Sequence, residues 1–163
     1  MEIELKDAAR AEDVLAFTDA IVSGEPNLNA NLANLAALLN QYVPRINWVG
    51  FYIHETSSGD WVLGPFAGKP ACTRIAPAQG VVGRALQNGQ TLVVDDVRAF
   101  PGHIACDDAS RSEVVVPIVA DGHVVAGLDV DSPELGRFSR QDVHLFEEVC
   151  QRVAASWTRG HWY

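Results

Sequence analysis

No apolar stretch in this 163-residue sequence approaches the roughly 18 residues that a membrane-spanning helix needs. The first ten residues, MEIELKDAAR, are charged from the second position and hold no apolar core of a secretory signal. Both absences point to the cytoplasm. Basic residues are scarce: 12 Lys plus Arg stand against 21 Asp plus Glu, a formal net charge of −9. An acidic chain without a basic stripe is repelled by nucleic acid and anionic lipid, so neither is an expected partner. Cysteine is scarce too. Cys72, Cys106 and Cys150 are odd in number and offer no CxxC or zinc-type spacing, which argues against a disulfide framework and a structural zinc site. No metal or other cofactor is indicated. Repeats, low-complexity segments and linkers are missing as well. Residues 1–163 therefore read as one domain, long enough to bury a core.

What is present is an alternation of helical and strand patterns. The chain is 48% apolar, a globular rather than a disordered composition. Val14, Leu15, Phe17, Ile21 and Val22 predict a helix over 11–23, closed by Gly24. Pro26 and Asn27 open a second helix, whose leucines recur at three- and four-residue steps until Pro44. INWVGFYIH and WVLGPF predict a hairpin around ETSSGD. A short strand is expected at 72–75, a short helix in GVVGRALQNG and a strand in TLVVDDV. EVVVPIVADGHVVAGLDVDS predicts a second hairpin turning at Asp121-Gly122. The last helix follows Ser139, with Asp142 three residues on as a variant capping box. Helices at both ends and antiparallel strands between them predict an α+β fold. Its central sheet should be covered on at least one face by the terminal helices.

Three groups of residues invite chemistry. Cys150 lies on the apolar face of the last helix and reads as a buried, inert thiol. Cys72 and Cys106 lie in connections rich in Gly, Pro and Asp, where functional residues concentrate. They form a redox pair only if their Cα atoms come within about 7 Å, which spacing leaves open. The acids Asp129 and Asp131 stand two apart on one strand, so they share a face. Pairing of strand start with partner end brings Glu113 near Asp131, at the edge where the Cys106 loop enters. Carboxylates held together cannot all ionise cheaply, so at least one should keep its proton. Trp48 and Tyr52, four apart, share a strand face, as core or as a ligand cage; Asn47, Val49 and Phe51 take the other. His103 is either a solvated loop residue or an aid to thiolate formation at Cys106. Asp107 and Asp108, which should hinder a thiolate, are expected to cap or orient the loop. Lys69, Arg111 or loop N–H groups would offset their charge. Trp157, Trp162 and Tyr163 would pack on the sheet or meet another subunit.

The blocks INWVGFY, LGPFAGKPAC, GHIACDDASRSE, VPIV, LDVDS and GRFS, in that order, resemble those of the free methionine-(R)-sulfoxide reductases, which are GAF-domain enzymes. The resemblance implies a GAF-like fold and reduction of the free amino acid, with thioredoxin as reductant. Carried over position by position, it implies Cys106 as nucleophile and Cys72 as resolving thiol. Trp48 and Tyr52 match the aromatic pocket, and Glu113, Asp129 and Asp131 match the acidic residues of the site. Relatives of this kind often carry another cysteine where Val82 stands here, so recycling is expected to run directly between Cys72 and Cys106. A sulfoxide is a poor electrophile until its oxygen is protonated, so the site needs a nucleophile and an acid together. Backbone N–H groups of loop 102–110 would hold the substrate carboxylate. GAF domains often pair through their helices, so a homodimer is expected as an option. Two other readings remain from the sequence: a GAF module that binds a small ligand without chemistry, and an oxidant sensor that forms a disulfide without substrate.

Overall fold

The computed structural model describes residues 2–103 and 106–162, with side chains from residue 10 onward. Among these residues four α-helices and six strands form an α+β GAF fold. The helices are α1 (Glu2–Gly24), α2 (Leu28–Tyr42), α3 (Gly80–Asn88) and α4 (Arg140–Trp157). The strands are β1 (Trp48–His54), β2 (Trp61–Gly68), β3 (Arg74–Ile75), β4 (Leu92–Val94), β5 (Ser112–Ala120) and β6 (His123–Ser132). They make one sheet in the order β3-β2-β1-β6-β5-β4, with every neighbouring pair antiparallel.

Strand alternation splits the interior in two. Val49 and Phe51 of β1, Val114, Val116 and Ile118 of β5, and Leu128 and Val130 of β6 turn to one face. There they pack on Val14 of α1, the leucines of α2, and Phe146 and Val149 of α4. The opposite face carries Trp48, Tyr52, Trp61 and Val115, packed against Val81, Val82, Ala85 and Leu86 of α3. The larger core fills the sheet face that meets α1, α2 and α4. The smaller core leaves room on its face for polar groups.

Local signals explain most boundaries. The Asn27 side chain accepts from the Ala30 N–H at 2.9 Å to start α2. Ser139 and Asp142 complete a reciprocal capping box at α4. Gly89 ends α3 at φ 64°, a left-handed conformation that glycine adopts without strain. Asp121 and Gly122 both take positive φ, 53° and 78°, as the tight turn between β5 and β6 requires. The expected first helix is longer than its stripe. It begins at Glu2, nine residues before Ala11, because Glu, Leu, Lys and Ala favour helix even where no apolar periodicity marks it. β1 starts at Trp48 rather than Ile46, and β4 stops at Val94. A 3-10 turn at Val97–Ala99, capped by Asp96 through the Arg98 N–H, has no sequence expectation behind it. Trp157 and Trp162 meet edge to face at 5.7 Å and pack on the larger core. Tyr163 lies outside the described residues.

One glycine sets the pocket face. Gly50 pairs with Phe66 across β1–β2. A Cβ on it would stand 2.4 Å from the Phe66 Cβ and 2.6 Å from the Trp48 indole. The missing side chain is the space into which Trp48 lies, stacked on Phe66 at 5.4 Å and on Tyr52 at 6.1 Å. Gly50→Ala should therefore displace the indole and destabilise the protein by about 1–3 kcal/mol, a typical cost of overpacking. Denaturant unfolding measures the stability loss, and the difference in near-ultraviolet tryptophan signal between Gly50→Ala and the parent reads the displaced indole.

Candidate active site

A pocket opens on the smaller-core face, between the β1–β6–β5 sheet, the first turn of α3 and the loop after the 3-10 turn. Its floor follows from register. Trp48 pairs with Asp131 across β1–β6, and Asp131 pairs with Glu113 across β6–β5. Asp129 pairs with Gly50 on one side and Val115 on the other. Residues paired across antiparallel strands point the same way. Trp48, Asp131 and Glu113 thus form one row across the sheet, with Asp129 in the next. The expected approach of Glu113 to Asp131 is present as a direct pair.

Carboxyl oxygens of Glu113, Asp129 and Asp131 lie within 4.8 Å of one another. Glu113 and Asp129 are buried and Asp131 is half-buried. All three hold their protons well above the usual carboxylate range. Burial is the main cause for each. Asp131 adds repulsion on Glu113, Glu113 on Asp129, and Asp129 then Asp107 on Asp131. A hydrogen bond couples Asp129 to Glu113, so the pair shares its protons. The Asp129 Oδ1 is buried with no hydrogen-bond partner among the described residues. Three hard oxygen donors this close can hold a proton, an ammonium group or a hard metal ion.

The aromatic pair has a second duty. Trp48 and Tyr52 are both buried and line the pocket. The Trp48 Nε1–H donates to the Lys69 carbonyl at 3.1 Å, and the Tyr52 hydroxyl donates to the Cys72 carbonyl at 2.9 Å. The Tyr52 hydroxyl keeps its proton far into alkaline pH, first through burial, then through the charges of Asp129, Asp131 and Glu113. The two rings therefore wall the pocket and tie down the connection that carries Cys72.

Cys72 and Cys106 are joined in a disulfide, with their Cα atoms 5.7 Å apart. Cys106 lines the pocket. Cys72 packs against the smaller core. Cys150 is a free, buried thiol whose pKa is pushed far up by burial and then by Glu147, the inert state expected for it. Asp107 orients the loop, as expected: its Oδ1 accepts from the Ala109 N–H at 2.9 Å. That bond, then Asn47 and Lys69, holds its carboxyl below the usual range. Lys69 Nζ stands 4.0 Å from Asp107. Arg111 faces Asp96 at 4.0 Å. Asp108 is exposed.

Three features depart from the sequence reading or lie outside it. His103 is not a solvated residue. Its side chain lines the pocket with Nε2 3.7 Å from the Glu113 carboxylate, and burial lowers its pKa. Asn47 does not share the face of Val49 and Phe51. It precedes β1, and its amide turns to the Cys106 loop. The first turn of α3, Gly80 to Val82, lines the pocket, and no side chain caps it. Val82 itself is buried there. Of the loop expected to bind a carboxylate, Ile104 and Ala105 lie outside the described residues.

Known proteins share this architecture. The GAF domain family matches residues 29–157. Protein YtsP of Bacillus subtilis is 50% identical over 145 residues, 87% of this chain and 89% of that protein. The free methionine-R-sulfoxide reductase of Escherichia coli is 46% identical over 124 residues, 76% of this chain and 74% of that protein. The X-ray structure of free methionine-R-sulfoxide reductase from Neisseria meningitidis, in complex with its substrate, matches with a TM-score of 0.88 at 42% identity, over 91% of this chain and 89% of that one. At these identities and coverages, the chain belongs to the free methionine-(R)-sulfoxide reductase family of GAF-domain proteins.

Proposed function

We propose that this pocket reduces free methionine-(R)-sulfoxide to methionine, with Cys106 as nucleophile and Cys72 as resolving thiol. The observation that carries the reading is the joining, in one pocket, of a disulfide-forming cysteine and three carboxyls that retain protons. A sulfoxide needs both partners at once.

In the reduced protein, the Cys106 thiolate attacks the sulfoxide sulfur while a proton from the trio of Glu113, Asp129 and Asp131 reaches the sulfoxide oxygen. That oxygen passes to Cys106 as a sulfenic acid, and methionine leaves. The Cys72 thiol then attacks the Cys106 sulfur, the hydroxyl departs as water, and the Cys72–Cys106 disulfide closes. The net change consumes two thiols and one sulfoxide and yields one thioether, one disulfide and one water. A dithiol protein of the thioredoxin class returns two electrons and two protons by exchange through a mixed disulfide. Recycling of this kind belongs to a reducing compartment such as the cytoplasm. Trp48 and Tyr52 enclose the S-methyl end and select the R configuration by shape. One member of the trio gives up its proton as the cationic ammonium enters and pairs with it. The uncapped first turn of α3 and the loop N–H groups offer partial positive charge to the substrate carboxylate.

Turnover of free methionine-(R)-sulfoxide, coupled through thioredoxin and its reductase to NADPH, tests the reading. Cys106→Ser should abolish it; retained activity removes Cys106 from the mechanism. Cys72→Ser should release about one methionine per protein in a burst and then recycle poorly. Binding without turnover, or peroxide oxidation of the thiols that outpaces the sulfoxide, would instead favour a ligand module or an oxidant sensor.

The carboxyl trio sets the pH dependence. Each folded-state pKa is raised, so above about pH 4, where such groups lose protons in the unfolded chain, the folded protein holds more protons. Stability from this source is fully present below about pH 4 and is lost as pH rises from there through the raised values. The acid form needed for turnover is lost over the same rise. Asp131→Asn should lower kcat by about 100-fold or more, the scale of general acid catalysis. It should also flatten the decline of stability between pH 5 and 8, read by denaturant unfolding at each pH. Equal changes in activity and stability would make Asp131 a structural residue.

A further inference from the structure

We propose that Asn47 is a positioning residue for this reaction, a clasp that holds the Cys106 loop against the carboxylate edge of the pocket. The role rests on the reduction proposed above for its chemical purpose, and on the following contacts for its existence. The Asn47 backbone N–H donates to the Asp131 carbonyl at 2.9 Å. Its side-chain Nδ2 donates to Asp107 Oδ2 at 3.1 Å and to Ser110 Oγ at 3.0 Å. Asp107 is the residue after Cys106, and Ser110, which is buried, ends the same loop. One residue thus ties both sides of the loop turn to the strand end that carries Asp131.

The amide has only one workable orientation. Turned round, Oδ1 would face the Asp107 carboxylate, acceptor against acceptor. In the orientation present, Oδ1 is buried with no hydrogen-bond partner among the described residues. An unpaired buried acceptor is unfavourable, so packing alone gives no reason to keep Asn here. The two donors to the loop do. The titratable groups facing the clasp are Asp107 within the loop, Asp131 on β6 and Lys69 from the β2–β3 connection. Because Asp107 adds to the repulsion that raises Asp131, holding the loop also fixes the field at the acid.

Exchange of donor and acceptor tests this. Two quantities are measured on each protein: the equilibrium of the Cys72–Cys106 disulfide with glutathione, which needs no substrate, and kcat with methionine-(R)-sulfoxide. Asn47→Asp places two carboxylates together. It should lower the effective concentration of Cys72 at Cys106, and kcat with it, roughly tenfold at pH 8, the scale of losing a hydrogen bond to a charged group. Both should recover toward pH 5 as the carboxylate pair takes up a proton. The Asn47→Asp/Asp107→Asn double variant restores one donor and one acceptor in exchanged places. It should return both quantities to within about threefold of the parent at pH 8. Asn47→Ala, which adds no charge, should show a similar loss with the parent's pH profile. A double variant no better than Asn47→Asp, or parent-like disulfide closure in Asn47→Ala, overturns the clasp. If the parent closes its disulfide as described but does not reduce methionine-(R)-sulfoxide, the proposed function fails while the disulfide measurement still decides the role of Asn47.

Discussion

The site depends on three carboxyl groups brought together on the inner face of an antiparallel sheet. Burial of acids is unfavourable, and burial of three within contact of one another is more so. The fold accepts them because their positions are set by backbone pairing rather than by their own attraction. Glu113, Asp131 and Trp48 stand in one row because β5, β6 and β1 pair in register, and that register is pinned from the other face by Val49, Val114 and Val130. A one-residue slip would send every side chain on that strand to the wrong face. The apolar core thus carries the acidic site, and the acids answer by retaining protons.

The aromatic residues show the same double use. Trp48 and Tyr52 bury large apolar surfaces, yet each spends its one polar hydrogen on a carbonyl of the connection holding Cys72. The wall that would recognise a methyl group therefore also sets where the second thiol stands. Gly50 completes the arrangement by having no side chain where the indole must lie. Substrate shape, thiol position and strand packing are not separable here. A change in any one of them moves the others.

Much of this was legible in the sequence. Turn chemistry at Asp121-Gly122 marks the β5–β6 hairpin, and alternation places Asp129 and Asp131 on one face, but the register shift at Ile118–Val119 that sets Glu113 opposite Asp131 has no sequence signal. Capping residues marked the starts of α2 and α4. The first turns of α1 were not legible, because helix propensity without an apolar stripe leaves no periodic signal. His103 and Asn47 were misread for a different reason. Both lie just outside regular elements, where strand or helix periodicity does not govern direction. A histidine in a Gly/Pro loop looks solvated until the loop is seen folded over the pocket, 3.7 Å from Glu113. Asn47 was assigned a face by counting back from β1, but the strand begins one residue later.

The same geometry bears on the absence of a cysteine at position 82. Val82 stands where resembling proteins often carry cysteine. It is buried in the first turn of α3, beside the pocket and within the smaller core. A thiol relay is needed only when the nucleophile and the thiol that faces the reductant cannot meet. Here Cys72 and Cys106 are joined, their Cα atoms 5.7 Å apart, so the two-thiol cycle proposed above needs no intermediary. In that cycle position 82 is free of exchange chemistry, and its β-branched apolar residue serves packing. Cys150 offers no substitute, since it lies in the other core, on the far side of the sheet, with its thiol held protonated. The sequence thus keeps the two thiols that the fold brings together and gives the third position to the hydrophobic core.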